Sequence, residues 1–261
     1  MNGQHMPNIT NYNEQYAKGE LVLWLDLSTY CNAKCPQCHR TDADGLGKAE
    51  WLPLTQWSIT EFKRMFPPET MTHVKSFDMC GTWGEPIMCK DIFKIIQYIM
   101  EESDCSILLN TNGSVRDSEW WWNLGVLCKD RLWVWWAVEG TNQEMHSLYR
   151  QDTELQLVLD NMASYNMAGG RSTCFTVIFK HNQDDIYNIA MSAKDNGCED
   201  IMLLRSNRFY YPKFKFINKK REELELHIST LPDMKDFYWT RLDLYNTSDM
   251  ERIKDVIAQQ E

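Results

Sequence analysis

Short hydrophobic segments with strand character alternate along the chain with amphipathic segments of helical character. The strand candidates are rich in β-branched, aromatic and aliphatic residues. They are Leu21–Thr29, His73–Gly81, Ser106–Gly113, Arg131–Gly140, Ser172–Asn182 and Glu199–Asn207. The helical candidates that separate them are Thr55–Phe66, Asp91–Ser103, Asp117–Lys129, Gln143–Tyr149, Thr153–Asn166 and Asp185–Asn196. This alternation predicts βαβ units around a parallel sheet.

The number of these units limits the α/β architecture. Six strand candidates are two fewer than a complete (β/α)8 barrel contains. The pattern therefore allows a partial (β/α)6 TIM-like barrel or a doubly wound sheet. In both architectures, ligands bind at the carboxyl ends of the parallel strands. We therefore expect the functional residues to follow the predicted strands.

The same pattern divides the chain into three parts. We expect residues 1–20 to form an N-terminal extension, residues 21–208 the core, and residues 209–261 a short C-terminal appendage. In the appendage, Phe209–Phe216 alternates aromatic residues with lysines. This segment is predicted to be either a lid or peptide-docking edge over the barrel mouth, or a strand that covers the open side of the sheet.

A final helix is predicted over Ser248–Gln260. Its expected N-cap is Ser248, and Glu251 three residues later would complete a capping box.

The composition narrows the function classes. The 261 residues include 27 Lys and Arg and 37 Asp and Glu, and the resulting net charge of -10 disfavours non-specific binding to nucleic acid. The first twenty residues are polar, and the longest wholly apolar run, Leu132–Val138, is too short to span a membrane. We expect a cytoplasmic protein with no membrane partner. In that reducing compartment, the nine cysteines are expected to be free thiols or metal ligands.

Three closely spaced cysteines follow the first predicted strand. Cys31, Cys35 and Cys38 lie in the segment TYCNAKCPQCHR. Thiolates at this spacing can hold an iron–sulfur cluster. The alternatives are free thiols or a zinc site that also uses His39. Because Cys38 and His39 are adjacent, they are awkward as ligands of one tetrahedral ion.

The CxxxCxxC motif after the first strand of a six-fold βα pattern resembles the radical S-adenosylmethionine (radical SAM) superfamily. The resemblance covers Leu21–Asn207 and implies a partial (β/α)6 TIM-like barrel. It also implies one [4Fe-4S] cluster on Cys31, Cys35 and Cys38, and S-adenosylmethionine (AdoMet) as the second cofactor. The cluster would pass one electron to AdoMet, and the resulting 5′-deoxyadenosyl radical would abstract a hydrogen atom from substrate. A flavodoxin- or ferredoxin-type protein would supply the electron.

The resemblance also implies cofactor contacts after the second and third strands. In MCGTWGEPIM, the family's Gly-Gly-Glu-Pro segment, which binds the methionine amino group, corresponds to Trp83, Gly84, Glu85 and Pro86. Trp83 replaces the first glycine of the family pair. In LLNTNGS, the residues that match the family's Thr-Asn-Gly are Thr111, Asn112 and Gly113.

Further cofactor contacts are implied after the fourth strand. Glu139 is expected to accept hydrogen bonds from the ribose hydroxyls, and Arg150 to meet the methionine carboxylate. Relatives often carry an aromatic residue before the third cysteine, where this chain has Gln37. We therefore expect Ile178 and Leu204 to pack on the adenine.

The substrate is the least determined feature. Arg205, Asn207 and Arg208 end the sixth predicted strand and would either bind an anionic or peptide-like substrate or cap the sheet edge. The chain most resembles the peptide-modifying relatives with a SPASM or twitch extension, which favours a peptide or protein side chain as substrate. Since no cysteine follows Cys198, we predict no auxiliary cluster.

Two other functions stay open from the sequence. One is a radical SAM enzyme that acts on a small metabolite or nucleoside. The other is a non-catalytic zinc-binding interaction module. Cys80, beside the Gly-Glu-Pro segment, would either touch substrate or be a small buried packing residue.

Overall fold

The computed structural model describes residues 9–42, 47–206, 208–231 and 241–258. The strands of the main sheet are β1 Leu21–Trp24, β2 Val74–Met79, β3 Ser106–Thr111, β4 Leu132–Ala137, β5 Arg171–Ile178, β6 Asp200–Arg205 and β9 Arg241–Asp243. A separate two-stranded sheet, the C-terminal hairpin, consists of β7 Lys213–Ile217 and β8 Glu223–His227.

Strand order distinguishes between the two architectures that the sequence allows. The main sheet has the order β1-β2-β3-β4-β5-β6-β9, and β1 to β6 are parallel to their neighbours. A doubly wound sheet would reverse its strand order at a switch point, whereas a barrel adds each strand beside the previous one. The predicted partial (β/α)6 TIM-like barrel is therefore confirmed.

Helices cover the outer face of this sheet. They are α1 Ile9–Lys18, α2 Ile59–Met65, α3 Pro68–Met71, α4 Ile92–Glu102, α5 Ser118–Cys128, α6 Gln143–Ser147, α7 Leu155–Met167, α8 Ile186–Asp195 and α9 Thr247–Ala258. In α4 the residues Ile92, Ile95, Ile96 and Ile99 are fully buried. Their spacing places them on one helical face, which packs in the core between helices and sheet. None of the described helices is long and apolar enough to cross a membrane.

Alternation along each strand separates the barrel interior from this core. On β4, Val134 and Trp136 are fully buried in the core on the helical side. Trp135, between them, points to the opposite face and lines a cavity inside the barrel. The aromatic β4 segment thus serves both faces of the sheet.

The chain after β6 completes the sheet and packs against the cysteine loop. β9 pairs antiparallel with β6, so a strand from the predicted appendage closes the edge of the core sheet. The predicted segment Phe209–Phe216 does not join that edge. It contributes β7 to the C-terminal hairpin, whose Phe216 packs in a cluster with Cys35 and Tyr149. The appendage therefore shares both the sheet and the surroundings of the cysteine loop.

The predicted start of the last helix needs a correction. Asn246 Oδ1 accepts hydrogen bonds from the backbone N–H groups of Ser248 and Asp249, at 2.9 and 3.4 Å. Asn246 therefore caps α9, and Ser248 is already inside its first turn. The predicted end at Gln260 lies outside the described residues.

Candidate active site

A cavity of about 490 Å3 opens at the carboxyl ends of the parallel strands. Many of the predicted site residues line it together, although they come from five separate parts of the chain. They are Cys31, Cys35, Cys38, Gly84, Glu85, Thr111, Asn112, Arg150, Arg205 and Arg208. Trp83, Pro86 and Glu139 are outside this lining, and Asn207 lies outside the described residues.

The cysteines belong to a loop that follows β1 and is held by its own backbone. Cys38 N–H donates to the Cys35 carbonyl at 3.0 Å, and the Thr41 hydroxyl donates to the same carbonyl at 2.9 Å. Arg40 Nε donates to the Thr29 carbonyl at 3.0 Å and closes the loop over its start. The turn brings three thiols from eight consecutive residues to one cavity wall.

Two of these sulfur atoms have hydrogen-bond donors beside them. Asn112 Nδ2 lies 4.0 Å from Cys31 Sγ, and Arg150 Nη1 lies 3.6 Å from Cys35 Sγ. Burial raises the pKa of the Cys31 thiol to about 12 and that of the Cys35 thiol to about 11. Iron binding to such thiols would displace protons, and the nearby donors would then face thiolates.

This arrangement fits an iron–sulfur cluster. Each cysteine of an iron–sulfur cluster binds a different iron atom, so the three ligands have to reach one cavity but need not meet at one ion. Among the residues that the structure describes, no three His, Cys, Asp or Glu side chains converge as ligands of a single metal ion. The ring of His39, the suggested fourth zinc ligand, faces the ring of Trp83 at a centroid distance of 6.3 Å.

Glu85 lines the same cavity and accepts hydrogen bonds from several donors. Its carboxylate accepts hydrogen bonds from Thr111 Oγ1 at 2.7 Å, from Asn112 N at 2.8 Å and from Ile87 N at 3.3 Å. Burial raises the pKa of Glu85, while these donors oppose that rise. Its own N–H donates to the Tyr30 carbonyl at 2.7 Å, which ties this turn to the cysteine loop. Glu85, Thr111 and Asn112 thus form one rigid unit beside Cys31.

The departure of this segment from the family pattern has a local explanation. Gly81 has a φ of 60°, so a glycine supplies the left-handed turn two residues before Trp83. Trp83 N–H donates to Asp26 at 3.2 Å, and its ring packs edge-on against Trp51 with centroids 5.1 Å apart. Trp83 is therefore directed away from the cavity. Pro86 is buried at the start of a short 3₁₀ turn. Contacts of Trp83 and Pro86 with a cofactor stay predictions.

Glu139 has a different partner from the expected ribose. Its two carboxylate oxygens accept from Arg150 Nε and Nη2, both at 2.7 Å. Glu139 is fully buried, and a buried carboxylate requires a counter-charge, which Arg150 supplies after the α6 turn. The predicted ribose contact of Glu139 and the predicted carboxylate contact of Arg150 stay predictions.

The expectation for adenine packing needs one correction. Ile178 is fully buried in the core on the helical side of β5, because alternation directs it away from the barrel interior. Its neighbour Val177 lines the cavity, as does Leu204 on β6. Gln37, in the position where relatives carry an aromatic residue, is buried and accepts a hydrogen bond from Ser206 Oγ at 2.8 Å.

The predicted substrate residues lie at the rim. One guanidinium nitrogen of Arg205 donates to the Ser229 carbonyl at 3.0 Å, which supports the sheet-edge alternative for this residue. Arg208 is exposed, and its Nη1 donates to the Gln37 carbonyl at 3.0 Å. Arg208 therefore joins the end of the barrel to the cysteine loop.

Sequence reasoning missed part of the inner wall of the cavity. Trp135 and Phe175 lie with nearly parallel rings, 5.8 Å apart, and Asn110 is the register partner of Trp135 on β3. The available signal was the two-residue period of the strands, which puts Asn110 and Asn112, and Trp135 and Ala137, on the inner face. Cys80 lines the same wall, and its thiol hydrogen-bonds to the Asp78 carbonyl at 3.3 Å.

Comparisons with known proteins show which solved structures share this fold. No family model matches the chain, and no curated protein matches it in sequence. Among solved structures, it is similar to anSMEcpe with bound AdoMet, with 16% identity, a TM-score of 0.56, and coverage of 76% of this chain and 52% of that one. It is also similar to Streptococcus suis SuiB bound to S-adenosylmethionine, with 15% identity, a TM-score of 0.57, and coverage of 81% of this chain and 48% of that one. A third similar structure is the methylornithine synthase PylB, with 12% identity, a TM-score of 0.51, and coverage of 76% of this chain and 60% of that one.

The chain thus spans about half the length of the first two of these solved chains. All three are radical SAM enzymes. Identities of this size establish likeness of fold, and the conclusion from geometry and comparison together is that this chain has the partial-barrel fold of radical SAM enzymes.

Proposed function

We propose that this chain is a radical SAM enzyme that binds one [4Fe-4S] cluster and AdoMet and abstracts a hydrogen atom from a peptide or protein side chain. One observation carries the proposal. The thiols of Cys31, Cys35 and Cys38 line the same cavity as the carboxylate of Glu85, at the carboxyl ends of the parallel strands. The fold around that cavity is shared with solved structures that hold AdoMet.

Each part of the site has a task in this proposal. Cys31, Cys35 and Cys38 would hold the cluster on one wall of the cavity, beside the space for AdoMet. When bound, cluster and AdoMet together would supply the radical chemistry for hydrogen abstraction. Glu85, already oriented by Thr111 and the Asn112 backbone, accepts from the AdoMet ammonium group.

The remaining tasks are to hold the cofactor ends and to exclude water. Arg150 meets the AdoMet carboxylate with the N–H groups that Glu139 leaves free. Val177 and Leu204 give the adenine an apolar wall. The rings of Trp135 and Phe175 keep the deeper part of the cavity apolar, which protects a reactive radical from solvent.

A peptide substrate is favoured over a small metabolite or nucleoside. One anSMEcpe structure contains AdoMet together with a peptide named Cp18Cys. In this chain, Arg208 lines the cavity and also a neighbouring cavity to which the hairpin contributes Phe214 and Phe216. The rim thus offers a polar and an apolar partner for a peptide. A flavodoxin- or ferredoxin-type protein supplies the electron. We place the protein in a reducing cytoplasm, where cysteine thiols stay available to bind iron.

In this proposal, residues 21–208 form the radical SAM core, preceded by the extension 1–20 and followed by a twitch-like appendage 209–261 without cluster ligands. The appendage contributes β9 to the core sheet. A deletion of everything after Arg208 would therefore unfold the core and cannot test the role of the tail.

Anaerobic reconstitution with iron and sulfide tests the proposal. We expect about four irons and four sulfides per chain, a brown protein, and 5′-deoxyadenosine after reduction in the presence of AdoMet. Cys31→Ala, Cys35→Ala and Cys38→Ala should each lose the cluster. The matched control is Cys174→Ala, which removes a fully buried thiol from the helical side of β5 and should retain the cluster.

One zinc per colourless chain, with no 5′-deoxyadenosine, would instead establish the zinc-binding module. A 5′-deoxyadenosine yield that rises with a small metabolite or a nucleoside, and never with peptides, would retain the radical chemistry and exclude a peptide substrate.

A further inference from the structure

Arg150 is fixed at both its backbone and its side chain. Its N–H donates to the His146 carbonyl at 2.9 Å, and its carbonyl accepts from the Thr153 hydroxyl at 2.7 Å. Two guanidinium nitrogens donate to Glu139, both at 2.7 Å. The side chain is therefore held in one orientation, and the direction of the third nitrogen is set by the other two.

That third nitrogen lies beside a cluster cysteine. Arg150 Nη1 is 3.6 Å from Cys35 Sγ, within hydrogen-bonding distance for a sulfur acceptor. The donor nearest Cys31 is a neutral amide, Asn112 Nδ2, at 4.0 Å. Of these two contacts, the one to Cys35 is the shorter, and its donor is a positively charged guanidinium.

Glu139 is in turn fixed by uncharged groups. Its N–H donates to His146 Nδ1 at 3.3 Å, and its carbonyl accepts from Asn182 Nδ2 at 3.1 Å. His146 is fully buried, and burial, followed by the charge of Arg150, lowers its pKa to about 3. The carboxylate of Glu139 is therefore paired with the guanidinium of Arg150, and the pair presents one directed donor to the sulfur.

A donor of this kind changes the electronics of an iron–sulfur cluster. Hydrogen bonds to the cysteine sulfurs and the net charge of the surroundings both set the reduction potential. One-electron reduction adds negative charge to a centre that three thiolates already make electron-rich. A fixed guanidinium stabilises that added charge, so it favours the reduced cluster.

We propose that Arg150, oriented by Glu139, donates a hydrogen bond to the Cys35 thiolate and thereby raises the reduction potential of the cluster. Glu139 is then a positioning residue that acts through Arg150. The electron comes from the external donor, and no bond is formed or broken in this step. The inference rests on the proposed function, because it requires a cluster on Cys35.

The test is an anaerobic redox titration of the reconstituted full chain, in which electron paramagnetic resonance follows the reduced cluster. Arg150→Gln should shift the equilibrium toward the oxidised cluster by about tenfold, which is about 59 mV for one electron. Arg150→Lys keeps the positive charge but loses the planar guanidinium. Its reduction potential should therefore lie between those of the wild type and Arg150→Gln. Glu139→Gln removes a negative charge, which by itself raises the potential, so a potential below that of the wild type in this variant would have to come from loss of the oriented donor.

Two further variants separate this effect from loss of fold. The double variant Glu139→Gln/Arg150→Met removes both buried charges together, so it avoids an unpaired charge and should fold with the lowered potential. The matched control is Arg131→Gln, at a partly buried arginine that donates to the carbonyls of Met100 and Cys105 near the other end of the barrel. Its potential should equal that of the wild type.

An Arg150→Gln or double variant with an intact cluster and the wild-type potential would overturn the inference. An equal shift in Arg131→Gln would overturn it as well, because the effect would then reflect general loosening of the fold. A wild-type chain that takes up no cluster at all is a different result, since it contradicts the proposed function itself.

Discussion

Gly84 lies against Ser28 so closely that no side chain fits between them. A Cβ at position 84 would stand 2.1 Å from the Ser28 carbonyl oxygen and 2.8 Å from the carbonyl carbon of Thr29. This contact presses the turn that carries Glu85 onto the start of the cysteine loop. The hydrogen bond from Glu85 N–H to the Tyr30 carbonyl, at 2.7 Å, depends on the same close approach.

Gly84→Ala should therefore both destabilise the chain and displace Glu85. Because the obstructing atoms belong to the backbone, we expect a cost at or above the usual range for overpacking, about 1–3 kcal/mol. Urea unfolding measures this cost. In the folded variant, AdoMet affinity measured by calorimetry should also fall.

Gly169→Ala is the matched control. Gly169 has a φ of 91°, but nothing lies within 4 Å of its added Cβ. It should show only the backbone penalty of a left-handed residue, about 1–2 kcal/mol, with unchanged AdoMet affinity. Equal AdoMet affinities for Gly84→Ala and the wild type would show that the position of Glu85 does not depend on this contact.

The barrel could be predicted from the sequence because each strand carries its own hydrophobic signal. The six parallel strands all lie within or overlap predicted segments. β9 could not be predicted, since a three-residue strand has too few positions for alternation to be recognised. It is specified by tertiary contacts, in which Leu242 and Leu244 are buried in the core.

The residues of the candidate site could be predicted where a sequence motif contains them. The prediction failed where contacts between separate segments determine a residue's partner. The cysteine loop was found by its spacing after the first predicted strand, and Glu85 and Thr111 through the family resemblance that this loop carries; all of them reach one cavity. The pairing of Glu139 with Arg150 joins positions eleven residues apart, on either side of α6, and no local pattern signals it. Ile178 was expected beside the adenine, but the residue of β5 that faces the cavity is its neighbour Val177. The two-residue period of the strand could have corrected this shift by one position.

Removal of the Glu139 charge should be costly for stability. In Glu139→Gln, the largely buried guanidinium of Arg150 loses its counter-charge, and breaking such a pair costs up to about 3–5 kcal/mol. Glu199→Gln is the matched control, since Glu199 pairs with Arg171 at 3.7 Å and is half exposed. Its loss should be below about 1 kcal/mol. Denaturant titrations of both variants give the comparison, and similar losses in the two would show that the buried pair contributes little to stability.

Two histidines, the buried His146 and the partly buried His181, should make the stability depend on pH below neutrality. Burial lowers the pKa of His146 to about 3 and that of His181 to about 4. The folded chain therefore resists protonation that the unfolded chain accepts below about pH 6.5. Their contribution is fully present above that pH and is lost as the pH falls toward 3–4. Each contributes a slope of up to about 1.4 kcal/mol per pH unit.

His146→Gln tests this contribution. The variant should be less stable than the wild type at pH 7, because it disturbs the contacts with Glu139 and Thr153. Its stability should nevertheless fall less steeply between pH 6.5 and 4.5, since one of the two protonation sites is gone. An unchanged slope in His146→Gln would mean that this histidine is not excluded from protonation by the fold.

The C-terminal hairpin should protect the cluster from solvent. Phe216 is buried against a group that includes Cys35, whereas the next residue, Ile217, is on the opposite face of β7 and exposed. Phe216 also lines a second cavity, of about 560 Å3, which reaches Cys38 from the outer side of the cysteine loop. The ring of Phe216 therefore separates this outer cavity from the neighbourhood of Cys35.

Phe216→Ala should open that separation. We expect a stability loss of about 3 kcal/mol or more, typical for a buried phenylalanine, and faster bleaching of the reconstituted cluster in air. Ile217→Ala is the matched control, because it shortens a neighbouring apolar side chain on the exposed face of the same strand. Bleaching rates are followed by visible absorbance at a temperature where both variants are folded. If the two variants bleach at the same rate, the hairpin does not shield the cluster, and its contacts with the cysteine loop serve only the stability of the fold.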